Sequence, residues 1–288
     1  MTTDTFTRFL ICLDVDGTVL GEDGSLSQRV RDAVATARSD GHAVTLATGR
    51  NWEATFPILE MLGLEPEYVV CANGALIMRR IKPGEVVPEH ENGAAHGYRQ
   101  YAVEVFDPTE VLTLIHDYLP DASYLVENAF GHRRYTRGMD DWNLEGAEEV
   151  SFEGLMVEPV MRVVVQSPDH TEEDFLRLVE GIGLKHVTYA IGWTSWLDIA
   201  PFGVSKATAL ERVRQAMQYS LSEVIVVGDG RNDIEMMEWA SRGGGVGVAM
   251  GQAPDVVKAA ASQVTGSVED DGLAVFLEEL PGASGPRS

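Results

Sequence analysis

The sequence predicts an α/β protein: a parallel sheet at both ends of the chain, with a second, more antiparallel unit between them. Three observations carry that reading. Short apolar runs at Phe9 to Leu13, Ala43 to Ala47 and Val224 to Val227 are each followed by Asp, Thr or Gly, as strands buried on both faces require. Amphipathic segments of helical period separate them. Between Glu85 and about Trp193 the rhythm gives way to looser alternation, and the strand–helix pattern resumes after Pro201-Phe202-Gly203.

Residues 9 to 80 read as β-α-β-α-β. Ser27 to Ser39 places Val30, Val34 and Ala37 on one face, and Gly41 ends the helix. Val44 to Ala47 is the next strand. Trp52 to Leu62 is a helix with a kink expected at Pro57. Tyr68 to Cys71 is a third strand, and Arg79 to Gly84 reads as a linker. In the middle unit, Pro108 to Tyr118 and Glu172 to Ile182 read as helices, and Ser123 to Val126, Val160 to Gln166 and Val187 to Ile191 as strands. Half-buried alternation there suggests a largely antiparallel sheet with helices on one face. Beyond Gly203, Lys206 to Tyr219 is a helix capped by Ser205. Val224 to Val227 and Val246 to Ala249 are strands, with helices at Ile234 to Ala240, Asp255 to Ala261 and Gly272 to Leu280. The Gly/Ser/Pro-rich tail, Pro281 to Ser288, has the composition of a disordered end.

Composition narrows the partners. The 288 residues carry 45 acidic against 22 basic side chains, a net charge of -23. Such a surface disfavours nucleic acid and anionic membranes. No apolar run approaches the ~20 residues of a membrane helix, and Met1 to Arg8 lacks an apolar signal core. Cys12 and Cys71 sit in apolar stretches without CxxC spacing, so buried reduced thiols and a cytoplasmic location are expected. The seven histidines show no metal-ligand spacing.

Three separated segments place chemistry-bearing residues just after strands, Asp14-Val15-Asp16-Gly17-Thr18, Thr48-Gly49-Arg50 and Gly228-Asp229-Gly230-Arg231-Asn232-Asp233, and Lys206 opens a helix. Ligands of parallel sheets bind outside the carboxyl ends of the strands. One of Asp14 and Asp16 can attack phosphorus, while the other protonates the leaving oxygen and later activates water. Gly17 permits close backbone approach. Asp229 can bind a hard cation beside Asp14, and Asp233 can hold metal-bound water. Asn232 can hydrogen-bond phosphate or a carboxylate, the Thr48 hydroxyl and Gly49 amide can bind phosphate, and Lys206 can neutralise the phosphoryl group and the Asp14 charge. Each piece also has a plainer reading. DxDG occurs in calcium loops and turns, Asn232 or Asp233 can cap a helix, and Lys206 can be a first-turn surface residue. Their convergence on one rim favours the chemical reading.

Taken together, LDVDGTVL (13–20), TLATGR (45–50), CANGALI (71–77), PFGVSKATAL (201–210), VVGDGRNDIEMMEWA (226–240) and GVGVAMG (245–251) resemble the haloacid dehalogenase (HAD) superfamily, in particular its Cof-type phosphatases. The resemblance implies a Rossmann-like, doubly wound parallel sheet core with an inserted α+β cap domain. The domains it suggests are residues 1–82 and 198–288 for the core and 83–197 for the cap. It makes Asp14 the nucleophile, Asp16 the general acid/base and Lys206 the charge-fixing catalytic lysine. Mg²⁺ would be held by Asp14, Asp229 and the Asp16 carbonyl, with Asp233 behind it. Phosphate would meet Thr48, Gly49, Lys206 and Asn232, while Arg50 and Asn73 would line the substrate entrance. Two positions depart from the family pattern: Gln252 replaces an Asn after AMG, and Ser267 an Asn before Glu269 to Gly272.

The implied activity is Mg²⁺-dependent hydrolysis of a small phosphorylated metabolite, a sugar phosphate in the first instance. A phosphomutase is the alternative. In the middle unit, His132, Arg133, Arg134 and Arg137 stand out against the acidic background. Arg133 and Arg134 are candidates to meet an anionic or hydroxyl-rich leaving group, or they form a solvated hairpin. Trp193 and Trp196 read as hinge packing.

Overall fold

The computed structural model describes residues 7–86, 95–139, 144–167, 170–171, 174, 177, 187–192 and 196–282. Its parallel sheet has the order β14-β13-β12-β1-β2. These strands are β1 (Leu10–Leu13), β2 (Ala43–Leu46), β12 (Val224–Gly228), β13 (Val246–Ala249) and β14 (Gln263–Val264). Leu10 pairs with Ala43 on one side and Val224 on the other. The chain therefore leaves β1 in one direction and returns much later on its opposite flank. That reversal makes the rim between β1 and β12 a topological switch point, where open α/β sheets bind ligands.

Alternation along β1 feeds two helical layers. Ile11 and Leu13 pack toward α1 (Gln28–Ser39), α2 (Trp52–Leu62) and α7 (Gly272–Glu278), through Val34, Leu59 and Leu273 among others. Leu10 and Cys12 face α4 (Lys206–Ala216), α5 (Ile234–Arg242) and α6 (Asp255–Ala260), through Leu210, Met236 and Val257. The core is thus doubly wound, as the sequence predicts. Full burial of an apolar side chain such as Leu210 contributes roughly 1.5–3 kcal/mol. Ser27 caps α1 by accepting from Val30 N at 3.1 Å. Helix α2 passes through Pro57 without interruption.

Arg79 and Arg80, expected to open a linker, close a strand instead, and Ile81 to Gly84 follow it outside any strand. β3 (Tyr68–Cys71) joins the parallel sheet by a bridge between Ala47 and Val70. It also pairs antiparallel with β4 (Leu76–Arg80), which pairs with β5 (Tyr98–Val103). The polar end of β4 hid it in the sequence. Arg79 is nonetheless buried, because Glu85 neutralises its guanidinium.

A second sheet runs β10-β11-β9-β6-β7-β8. Its members are β6 (Ser123–Asn128), β7 (Arg133–Tyr135), β8 (Glu148–Glu149), β9 (Val160–Gln166), β10 (Val187–Gly192) and β11 (Trp196–Pro201). All pairs are antiparallel except β7 with β8. Helix α3 (Thr109–Tyr118) covers the face carrying Tyr124, Val126, Val163 and Leu197. Leu125 and Val164 belong to the opposite face. By register and alternation that face also carries Glu127, Arg162 and Asp198. Trp196 opens β11 and packs against Leu125, Met139 and Val164. Trp193, most of the helix expected over Glu172 to Ile182, and residues 283–288 of the tail lie outside the described residues. Among the described residues no helix is long and apolar enough to cross a membrane.

Candidate active site

Asp14 leaves the end of β1, its N–H donating to the Val227 carbonyl at 2.9 Å. Asp229 leaves the end of the neighbouring β12, and Asp233 closes a short 3-10 turn before α5. Carboxylate oxygens of Asp14, Asp229 and Asp233 lie within 4.8 Å of one another, and all three residues are buried. Lys206 enters the same space from the first turn of α4. Its start is fixed by reciprocal bonds between Ser205 and Thr208. The Lys206 Nζ donates to Asp14 Oδ1 at 2.6 Å and to Asp233 Oδ1 at 2.7 Å. The other oxygen of Asp233 accepts from the Asp229 and Gly230 N–H groups at 3.0 and 2.9 Å. Asp233 thus ties the β12 turn to the lysine, whereas among the described residues the Asp229 carboxylate makes only long contacts, 3.5 Å from Thr18 Oγ1 and 3.4 Å from Gln252 Nε2.

The electrostatics follow from crowding. Burial raises the Asp14 pKa well above the usual carboxylate range; Asp233, Asp229 and Asp16 add to the rise, and Lys206 opposes it. Burial and Asp233 push Asp229 up to about 7 against the pull of Lys206. Burial alone would lower the Lys206 ammonium, but Asp14 and Asp233 outweigh it and raise its pKa. Three desolvated acids around one ammonium leave excess negative charge. That all-oxygen donor set, with Asp229 weakly held, fits a hard divalent cation. Gly17 shapes the cradle: its φ is +75°, and a Cβ there would lie 2.2 Å from Asp229 Oδ2.

A family model described as haloacid dehalogenase-like hydrolase matches residues 11–277. The chain belongs to the haloacid dehalogenase-like hydrolases. It is 28% identical over 283 residues to the 5-amino-6-(5-phospho-D-ribitylamino)uracil phosphatase YitU of Bacillus subtilis, covering 94% of this chain and 97% of that one. It is 29% identical over 285 residues to the pyridoxal phosphate phosphatase YbhA of Escherichia coli, covering 94% and 98%. Its fold is similar to that of the HAD subclass IIB sugar phosphatase BT4131, with a TM-score of 0.71 at 20% identity over 94% and 98% of the two chains.

The remaining candidate residues of this HAD-like hydrolase surround the carboxylates unevenly. The Asp16 side chain is 59% exposed and meets Arg50, whose Nε and Nη2 reach its two oxygens at 3.0 and 2.5 Å. Thr48 is fully buried; its Oγ1 accepts from Arg50 N at 3.1 Å, and its carbonyl accepts from Asn73 N at 3.0 Å. Asn232 Nδ2 donates to Asn73 Oδ1 at 3.0 Å, joining the CANGALI and VVGDGRNDIEMMEWA segments. Gln252 bridges the Asp14–Thr18 turn, donating to the Gly17 carbonyl at 2.6 Å while accepting from Val268 N at 2.9 Å. Ser267 Oγ donates to Asp270 Oδ2 at 2.7 Å, within its own turn.

The structure separates the two arginines of the middle unit. Arg133 pairs across strands with Glu127, on the face that carries Arg162 and Asp198, and donates to the Glu145 carbonyl at 2.5 Å. Arg134 pairs with Val126, on the α3 side. There it meets Glu158 at 2.5 Å and Glu148 at 3.4 Å, so it is not brought to the site. Arg137 donates to the Asp121 carbonyl. Sequence reasoning missed Glu127, Arg162 and Asp198, which are 2%, 2% and 3% exposed at the junction with the parallel sheet. The available signal was a lone charge in each of the apolar runs VMRVVVQ (160–166) and WLDIAP (196–201).

Proposed function

We propose that this hydrolase is a Mg²⁺-dependent phosphatase of small phosphorylated metabolites, working through an aspartyl phosphate. The observation that supports it best is the meeting of Asp14, Lys206 and Asp229 at the sheet's switch point. The phosphatase relatives, whose names specify pyridoxal phosphate and a phosphoribitylamino-uracil, support the same class, as does the sugar phosphatase of the same fold. Residues 1–82 and 198–288 form the catalytic core in this reading, and 83–197 the cap. Two strands run across or between those units: Asp198 sits within β11, and β5 pairs with β4 of the core.

In the first step an Asp14 carboxylate oxygen forms a bond to phosphorus, and the ester P–O bond breaks with its electron pair going to the leaving oxygen. Asp16, on the exposed side of the turn, delivers a proton to that oxygen. An anionic leaving group arriving at the mouth competes with Asp16 for Arg50. In the second step Asp16 takes a proton from water, whose oxygen attacks phosphorus, releasing phosphate and regenerating Asp14. Lys206 favours the ionised form of Asp14 before attack, against the burial that raises its pKa. Thr48, already accepting from Arg50 N, keeps its hydroxyl proton for a phosphate oxygen, beside the Gly49 amide and Asn232. When held by Asp14, Asp229 and the Asp16 carbonyl, Mg²⁺ would offset charge on the phosphoryl oxygens.

Phosphate release across a panel of sugar phosphates, pyridoxal phosphate and nucleotide-precursor phosphates tests this reading. Wild type should release phosphate from at least one class, and Asp14→Asn from none while keeping its circular dichroism spectrum. Isomerised product without phosphate release would point instead to a mutase.

A further inference from the structure

Arg162 sits in the centre of β9, on the sheet face turned toward the parallel sheet, and is 2% exposed. Its Nη1 donates to the Gly49 carbonyl at 3.0 Å. Its Nε and Nη2 donate to the two oxygens of Asp198 at 3.2 and 2.9 Å. Asp198 also accepts from Asn73 Nδ2 at 2.8 Å, and Asn73 accepts from Asn232 at 3.0 Å. A continuous polar path therefore runs from the middle of the second sheet to the Thr48-Gly49 loop and the turn after β12.

The backbone at Asn73 is unusual. Ala72 and Asn73 both have positive φ, 48° and 50°. Ala72 has no polar side chain to ease that conformation, so the surrounding structure must impose it. Gly74 follows at φ 101°, where a Cβ would lie 2.2 Å from the Ser205 carbonyl, one residue before Lys206. The turn that Asp198 holds through Asn73 is therefore also the turn against which the lysine-bearing helix begins.

We infer that Arg162 is a positioning residue: paired with Asp198, it orients the Thr48-Gly49 loop and the Asn73 turn for phosphate. It touches none of the reacting groups itself. A lysine could keep the charge but not the planar fork that bonds Asp198 through two nitrogens and Gly49 through the third.

This inference rests on the phosphatase reading, and acetyl phosphate, a substrate whose leaving group is only the small acetate ion, tests it. Wild type, Arg162→Lys and Asp198→Asn would be compared for kcat and KM, for thermal midpoint, and for the Kd of inorganic phosphate and of Mg²⁺ by titration calorimetry. Each variant should lose at least tenfold in kcat and bind inorganic phosphate at least fivefold more weakly, with Mg²⁺ affinity within twofold of wild type. The double variant should lose little more than either single one, because one unit has been broken. Asp198→Asn keeps the side-chain shape, so it serves should Arg162→Lys fold poorly. A lowered thermal midpoint with kcat and phosphate affinity within twofold of wild type would make the path purely structural and overturn the inference. Wild type inactive on every phosphate ester would instead overturn the phosphatase reading.

Discussion

The Lys206 ammonium lies 2.6 Å from Oδ1 of Asp14, although 192 positions separate the two residues in the chain. Both are buried, and the same nitrogen also holds Asp233 at 2.7 Å. This triangle is both the electrostatic anchor of the site and a weak point of the fold.

Lys206→Met should therefore harm stability as well as activity. It leaves Asp14 and Asp233 buried without their cation, a loss of about 3–5 kcal/mol. Urea unfolding checks the value. Because burial already raises the Asp14 pKa, protonation relieves the defect, and the loss should be smaller at pH 5 than at pH 8.

Chelation should silence phosphate release, and Mg²⁺ should restore it. Mg²⁺ should also raise the thermal midpoint of the chelator-treated protein; stabilisation is about 2.7 kcal/mol at a hundredfold excess over Kd. A midpoint indifferent to Mg²⁺ would count against a site at Asp14 and Asp229.

Gly17→Ala tests the cradle. The methyl group would collide with Asp229 Oδ2, and the +75° φ adds strain of roughly 1–2 kcal/mol. Calorimetry should show Mg²⁺ binding weakened at least tenfold in a folded protein.

Glu127 should make the fold pH-dependent. Burial pushes its pKa up to about 7, from 4.5, while Arg162 and Arg133 pull it down. Its folded pKa lies above its unfolded one, so the native state binds the extra proton between those values. Stability therefore falls as pH rises from about 4.5 to 7, by up to about 3 kcal/mol from this group. Glu127→Gln should flatten the change in unfolding free energy between pH 5 and pH 8. An unaltered slope would remove Glu127 from that role.

Much of the core is legible in the chain because its strands are buried on both faces. Ile11 and Leu13 feed one helical layer and Leu10 and Cys12 the other, so β1 reads as an unbroken apolar run. Strands with a polar end escape the same reading. β4 goes unread because Arg79 and Arg80, which close it, look like the start of a linker; the pairing of Arg79 with Glu85 makes that arginine's burial tolerable. β7 looks like a basic patch, yet alternation sends Arg133 and Arg134 to opposite faces.

By itself the sequence determined the α/β class and the motif segments that carry Asp14, Thr48, Lys206 and Asp229. Local order along the chain is enough for that, since each residue follows a strand or opens a helix. Only the tertiary structure decided which charges meet. The crossover from β1 to β12 sets Asp14 beside Asp229, and the packing of the second sheet brings Arg162 to the Gly49 carbonyl. Such contacts depend on register and sheet order between distant segments, and no local pattern records them.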